Sequence, residues 1–291
     1  MKRLSAIMAL VVLLATACSS LAPVKPRQRV ALHFDARIGE QPFACGKSYD
    51  NQGANHSRIT PSDLRFYVTA IELLDASGRA TPLQLDQDGL WQYRDVVLLD
   101  FENGSGPCRN GNPGMHTVVG GTVPPGDYRA LRFTVGLPFD LNHADTTLAP
   151  SPLNLTAMFW SWQAGYKFFK LDMITDGPAR DRRNASPAPA GFPVHLGSTE
   201  CKAVSRTSPA TSCANSNRVA VFLSPFDVER HVVSLDLASL LADSDIVKQT
   251  AGTAPGCMAA PDDADCTGVM GAFGLPFAGR PAGTQRVFSA R

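Results

Sequence analysis

Apolar residues in this 291-residue chain recur at every second position, in short runs broken by clusters of Gly, Pro, Asn and Asp. A period of two belongs to a half-buried strand, because successive strand side chains point to opposite faces. In residues 29–37, Val30, Leu32, Phe34 and Ala36 share one face while His33 and Asp35 point away. Residues 64–75 alternate through Leu64, Phe66 and Val68, then slip phase near Ala70 and Ile71, which predicts a bulge. Leu131, Phe133 and Val135 repeat the pattern after the turn Pro124-Pro125-Gly126-Asp127, as do Val219, Val221 and Leu223. The continuous run Val96-Val97-Leu98-Leu99 fits a strand buried on both faces. Residues 232–241 read as a strand ending in a helical turn. Together these runs predict an all-β fold: a β-sandwich of mostly antiparallel strands, with short helices and long disulfide-pinned loops.

The first residues read as an address rather than as structure. Lys2 and Arg3 precede an apolar run over residues 6–14, which is too short to span a bilayer. Ala15-Thr16-Ala17 then leads to Cys18, a pattern that resembles a bacterial lipobox with Ala where Leu is commoner. The expectation is export, cleavage before Cys18 and lipidation of its sulfur. Ser19 favours the outer membrane, on its periplasmic side or at the cell surface. The domain plan is a signal peptide at 1–17, a lipidated tether at 18–28 and a single domain over 29–291. Lys and Arg number 27 against 26 Asp and Glu, without a basic stripe, so a nucleic-acid surface has no electrostatic support.

Six cysteines follow Cys18: Cys45, Cys108, Cys201, Cys213, Cys257 and Cys266. An even count in an exported chain reads as disulfides, since that compartment is oxidising. Short loops suggest Cys201–Cys213 and Cys257–Cys266, leaving Cys45–Cys108, although spacing alone leaves the connectivity open. No C-x-x-C pair is present to suggest a zinc site.

Chemistry concentrates around residues 137–201. The stretch Met158-Phe159-Trp160-Ser161-Trp162-Gln163-Ala164-Gly165-Tyr166 holds two of the three Trp, and His143 and His195 flank it. Asn154 is a cap for a helix over residues 155–164 that Gly165 would stop, with a strand over 166–173 after it. The alternative is one strand from Ala157, with Trp160, Trp162, Tyr166 and Phe168 on one face. No G-x-S-x-G or H-E-x-x-H motif is present. The carboxylate groups Asp243/Asp245 and Asp262/Asp263/Asp265 lie in loops where solvation is their expected role. Imidazole is the commonest neutral metal ligand, yet no H-x-H or H-x-x-x-H pair marks a site by spacing. A second reading is a non-metal lipoprotein that binds carbohydrate or protein on a platform of Trp160, Trp162 and Tyr166.

Four segments carry a resemblance. Leu137-Pro138-Phe139-x-Leu141-Asn142-His143, Met158-Phe159-Trp160-x-Trp162-Gln163-x-Gly165-Tyr166-Lys167-Phe168, His195-Leu196-Gly197-Ser198-Thr199-x-Cys201 and Gly256-Cys257-Met258 with Pro261-Asp262-Asp263 resemble the MbnP-like W-x-W proteins, also called metallo-mystery pair four-Cys motif proteins. Cys201, Cys213, Cys257 and Cys266 most resemble the named four-Cys motif. The resemblance implies an exported copper-binding protein beside a MauG-type di-haem cytochrome c peroxidase that oxidises a Trp to kynurenine. Carried onto this chain, Trp160 and Trp162 are the residues for modification, and they join His143 and His195 as metal-site residues, with His33 as a third imidazole. On that reading the protein is the substrate of its partner and not an enzyme.

Overall fold

Residues 26–109, 114–161, 163–176, 191–205 and 208–291 are described by the computed structural model. Residues 1–25, with the expected leader and Cys18, lie outside that set, as does Trp162. No described helix is long and apolar enough to cross a membrane.

The first part of the chain forms β1 (Gln28–Ile38), β2 (Ser57–Asp75), β3 (Val96–Asp100), β4 (Val118–Val123), β5 (Tyr128–Val135) and the short helix α1 (Phe139–Asn142). A hairpin of β6 (Phe159–Ser161) and β7 (Gly165–Tyr166) leads into β8 (Phe169–Thr175) and then β9 (Val194–Leu196). After these come β10 (Thr199–Ala203), β11 (Ala210–Asn215), β12 (Val219–Leu223) and β13 (Val233–Asp236). Helices α2 (Leu237–Leu241) and α3 (Cys266–Ala272) and the strand β14 (Phe288–Ala290) complete the chain.

Two sheets result. One has the order β14-β13-β1-β4; the other runs β9-β8-β2-β5-β12, with β3 also paired to β2. β1 and β13 lie parallel, whereas β2 is antiparallel to β3, β5 and β8. The alternating faces meet between the sheets: Phe34 of β1 lies edge-on to Phe66 of β2 and Phe133 of β5, at 6.4 and 5.8 Å. This is the sandwich that period two requires, because each sheet has one apolar face to remove from water. The phase slip also appears where expected. Ala70 adopts φ +50° and the β2–β5 register shifts beside it.

The larger sheet is covered on its outer face as well. Tyr67, Val96 and Leu98 pack there against Leu137, Leu141, Leu153, Met158, Tyr166 and Phe168. Burial on both faces accounts for the unbroken apolar run in β3, all five residues of which are buried. The disulfides are Cys45–Cys108, Cys201–Cys213 and Cys257–Cys266, the pairing that the loop lengths favour.

Candidate metal centre

The aromatic stretch forms neither the helix expected over residues 155–164 nor one long strand. Asn154 is exposed, and a single 3-10 turn over Thr156–Met158 starts from Leu155 without a side-chain cap. The chain then doubles back, with Phe159 opposite Tyr166. Burial decides the outcome: Met158, Tyr166 and Phe168 are fully buried in one cluster, and a reversal lets residues on both sides of the turn reach it. The Tyr166 hydroxyl donates to Leu153 O at 2.5 Å, which ties the hairpin to the preceding loop. Gly165 does take a left-handed φ of +78°, but within the hairpin; a Cβ there would stand 2.5 Å from Asn142 O. Because Tyr166 is buried, it cannot belong to a solvent-facing stacking platform.

Trp160 is half-buried on this hairpin and lies over Gly197, where a Cβ would meet Trp160 Cζ3 at 2.6 Å. Its indole lines a cleft of about 490 Å³ together with Gln163, Glu200, Cys201 and Met258. The cleft thus brings an indole, a thioether and a disulfide to one opening.

His143 follows α1, and its ring packs on Phe139 at 4.6 Å. The side chain is buried, with Nε2 3.3 Å from Cys213 Sγ and 4.0 Å from Cys201 Sγ. Asn142 fixes its tautomer. Asn142 Oδ1 accepts the Tyr166 N–H at 2.8 Å, so the amide NH2 faces His143 Nε2 at 3.1 Å. Nε2 therefore accepts from Asn142 and carries the ring's one lone pair, with the sulfurs alongside it, while the proton sits on Nδ1, a buried atom without a hydrogen-bond partner. Burial lowers the His143 pKa and keeps the ring neutral. His143, Cys201 and Cys213 form a group whose ligand atoms all lie within 4.8 Å of one another.

His195 has the opposite tautomer. Its Nε2 donates to Asp172 Oδ1 at 2.6 Å, which leaves the lone pair on Nδ1. Register explains the contact: Asp100, Arg65, Lys170 and His195 are successive cross-strand partners over β3, β2, β8 and β9. Asp63 and Asp172 form the adjacent pair in the same sheet. Lys170 bridges Asp63 and Asp172, and Arg65 pairs with Asp63. Burial opposes charge on Asp172, yet the His195 hydrogen bond and Lys170 hold its carboxyl well below the usual range. Burial also lowers the His195 pKa against the pull of Asp172. Asp100, buried at the far end of the row, is pushed up to about 7.

The expected site residues thus separate into groups. Trp160 and His143 converge on the Cys201–Cys213 disulfide, and His195 lies two residues before the glycine under Trp160. His33 is exposed on β1 in the opposite sheet, opposite Val118 in the register, and is not brought to this corner. Trp162 lies outside the described residues. Sequence reasoning missed Asp172, Asn142 and Met258 as neighbours of the site. One signal was available for Asp172: Lys170 and Asp172 alternate with Phe169 and Leu171 in a strand whose neighbours are buried.

A β-sandwich pinned by three disulfides, with an unprotonated imidazole nitrogen beside paired sulfurs and a half-buried indole nearby, defines an all-β protein with a His-Cys-Cys group that could hold a metal ion. The chain matches the MbnP family over residues 27–259 and belongs to it. A solved structure, MbnP from Methylosinus trichosporium, is 36% identical, covers 91% of this chain and 98% of that chain, and superposes with a TM-score of 0.80. No curated protein matches the chain.

Proposed function

We propose that this protein is an exported, lipid-anchored copper-binding protein whose metal is held at the Trp160 cleft, and that it is not itself an enzyme. The observation that carries this reading is the tautomer of His143. A neutral imidazole whose unprotonated Nε2 lies 3.3 Å from a sulfur is a donor suited to a soft cuprous ion once the ion displaces the Asn142 amide from it. While Cys201 and Cys213 are joined, their sulfurs are neutral and donate weakly, so firm binding calls for further donors. His195 is proposed as the second imidazole, with its lone pair on Nδ1 because Nε2 is committed to Asp172.

An intact indole N–H donates but has no lone pair for a metal. Oxidation to kynurenine opens the ring into an aniline amine and a ketone, and Trp160 is the described indole that lines the cleft. A MauG-type di-haem peroxidase is the proposed oxidant, which makes this chain a substrate of its partner. Membership of the MbnP family supports that assignment. When bound, the copper would supply a stored or transferable cuprous ion; the chain's task is to hold, orient and shield it.

Copper(I) titration of protein from native cells tests the reading, with a chromogenic chelator as competitor. His143→Ala combined with His195→Ala is expected to abolish tight binding, and unchanged affinity would remove both ligands from the proposal. Peptide mass analysis over residues 155–167 is expected to find one Trp that has lost a carbon and gained an oxygen. Only unmodified Trp, with the peroxidase gene expressed, would refute the oxidation.

A further inference from the structure

The three disulfides differ in exposure and in what they hold together. Cys108 is 0% exposed, and Cys257 and Cys266 are 1% and 0% exposed, so the Cys45–Cys108 and Cys257–Cys266 bonds each have at least one sulfur-bearing residue sealed in the interior. Cys201 and Cys213 are both half-buried, and Cys201 lines the Trp160 cleft. Access governs thiol–disulfide exchange, because the attacking thiolate must reach a sulfur. The Cys201–Cys213 bond is therefore the one that offers both of its sulfurs to a small dithiol, whereas Cys45–Cys108 offers only the half-buried Cys45 and Cys257–Cys266 offers neither.

Its place in the fold makes its loss tolerable. Cys201 and Cys213 face each other across β10 and β11, which form a two-stranded sheet apart from the sandwich. Opening the bond leaves the ladders of both main sheets intact. It also leaves two thiol sulfurs beside His143 Nε2, at the 3.3 and 4.0 Å that separate Cys213 and Cys201 from it. Thiolates are strong soft-metal donors, whereas disulfide sulfurs are not.

We infer that the Cys201–Cys213 disulfide is a redox-switched ligand pair: reduced, it joins His143 in a cuprous site of one nitrogen and two sulfurs. The inference rests on the copper reading above and adds how the same site is regulated. The step balances with a dithiol as reductant. A dithiol thiolate attacks one of the two sulfurs and the S–S bond breaks. The resulting mixed disulfide is resolved by the second dithiol sulfur. Two electrons and two protons thereby pass to Cys201 and Cys213, and the dithiol leaves as its own disulfide. A cuprous ion then replaces the two thiol protons. With the bond closed, His143 faces a neutral disulfide and that donor set is withdrawn.

The full chain, exposed to limiting dithiothreitol and then alkylated, is expected to carry label at Cys201 and Cys213 before the other four disulfide-bonded cysteines. After anaerobic removal of the dithiol, copper(I) should bind roughly tenfold or more tightly than to the oxidised protein. Thiolate-to-copper absorption should appear in the near ultraviolet, and Cys201→Ser with Cys213→Ser should lose both gains. Opening of another disulfide first, or equal affinity in the two redox states, would overturn the switch. Tight binding in the reduced form alone would uphold it while removing the Trp160 and histidine site of the oxidised protein.

Discussion

His195 Nε2 stands 2.6 Å from Asp172 Oδ1, and the two residues come from neighbouring antiparallel strands. The carboxylate is held ionised by Lys170 and by the imidazole it accepts from. A histidine so placed has one nitrogen committed and the other free.

Asp172→Asn tests that relationship. An amide accepts the Nε2–H more weakly and gives Lys170 no charge, so His195 should populate both neutral tautomers. Ring-nitrogen NMR of the metal-free protein should register the mixture, and copper affinity should fall on the order of 10–100-fold. An unchanged tautomer would assign Asp172 a purely structural role.

Acid stability follows from the same groups. His143 and His195 titrate below the ordinary imidazole value, chiefly through burial, and Asp172 lies below the ordinary carboxylate value. Each binds its proton more tightly when unfolded, so protonation favours unfolding. Their contribution is complete above about pH 6.5, declines as the pH falls through the imidazole range, and declines again below about pH 4. Thermal melts of metal-free protein across that range should follow this course.

Asp100 has the opposite sign. Burial raises it from 3.8 to about 7 in the folded protein, so its contribution is full at low pH and is lost as the pH rises from about 4 to 7. Asp100→Asn removes that loss, and the variant should exceed the parent by roughly 1–3 kcal/mol at pH 8 in denaturant titration. Equal stability of the two proteins at pH 8 would show that Arg65 already neutralises the ionised carboxylate.

Gly197→Ala probes the seat of the indole. Its Cβ would fall 2.6 Å from both Trp160 Cζ3 and Tyr166 O, and the backbone oxygen cannot yield easily. The cost should be about 1–3 kcal/mol, with a red shift of Trp fluorescence as the ring moves towards water. An unaltered spectrum would mean that Trp160 is seated by other contacts.

Much of this molecule was legible one residue at a time. Strand alternation in β1, β5 and β12, the slip at Ala70 and the buried run in β3 are local consequences of which faces must leave water. Short loops favoured the cysteine pairing observed, because nearby cysteines meet easily. Of the W-x-W stretch and its flanking histidines, the structure brings Trp160 and His143 to the Cys201–Cys213 disulfide. The hairpin at Trp160 was not legible, since the local cap and stop signals were outweighed by burial of Met158, Tyr166 and Phe168 in a cluster with Tyr67 and Leu98. Nor could spacing show that Asp172 commits one nitrogen of His195, or that Asn142 leaves the proton of His143 on Nδ1 and its lone pair on Nε2. Periodicity records which face a residue occupies; it carries no record of which strand lies next to it. The charge row Asp100, Arg65, Lys170 and His195 exists because four strands distant in sequence are hydrogen-bonded in one register, and that register is a property of the tertiary structure alone.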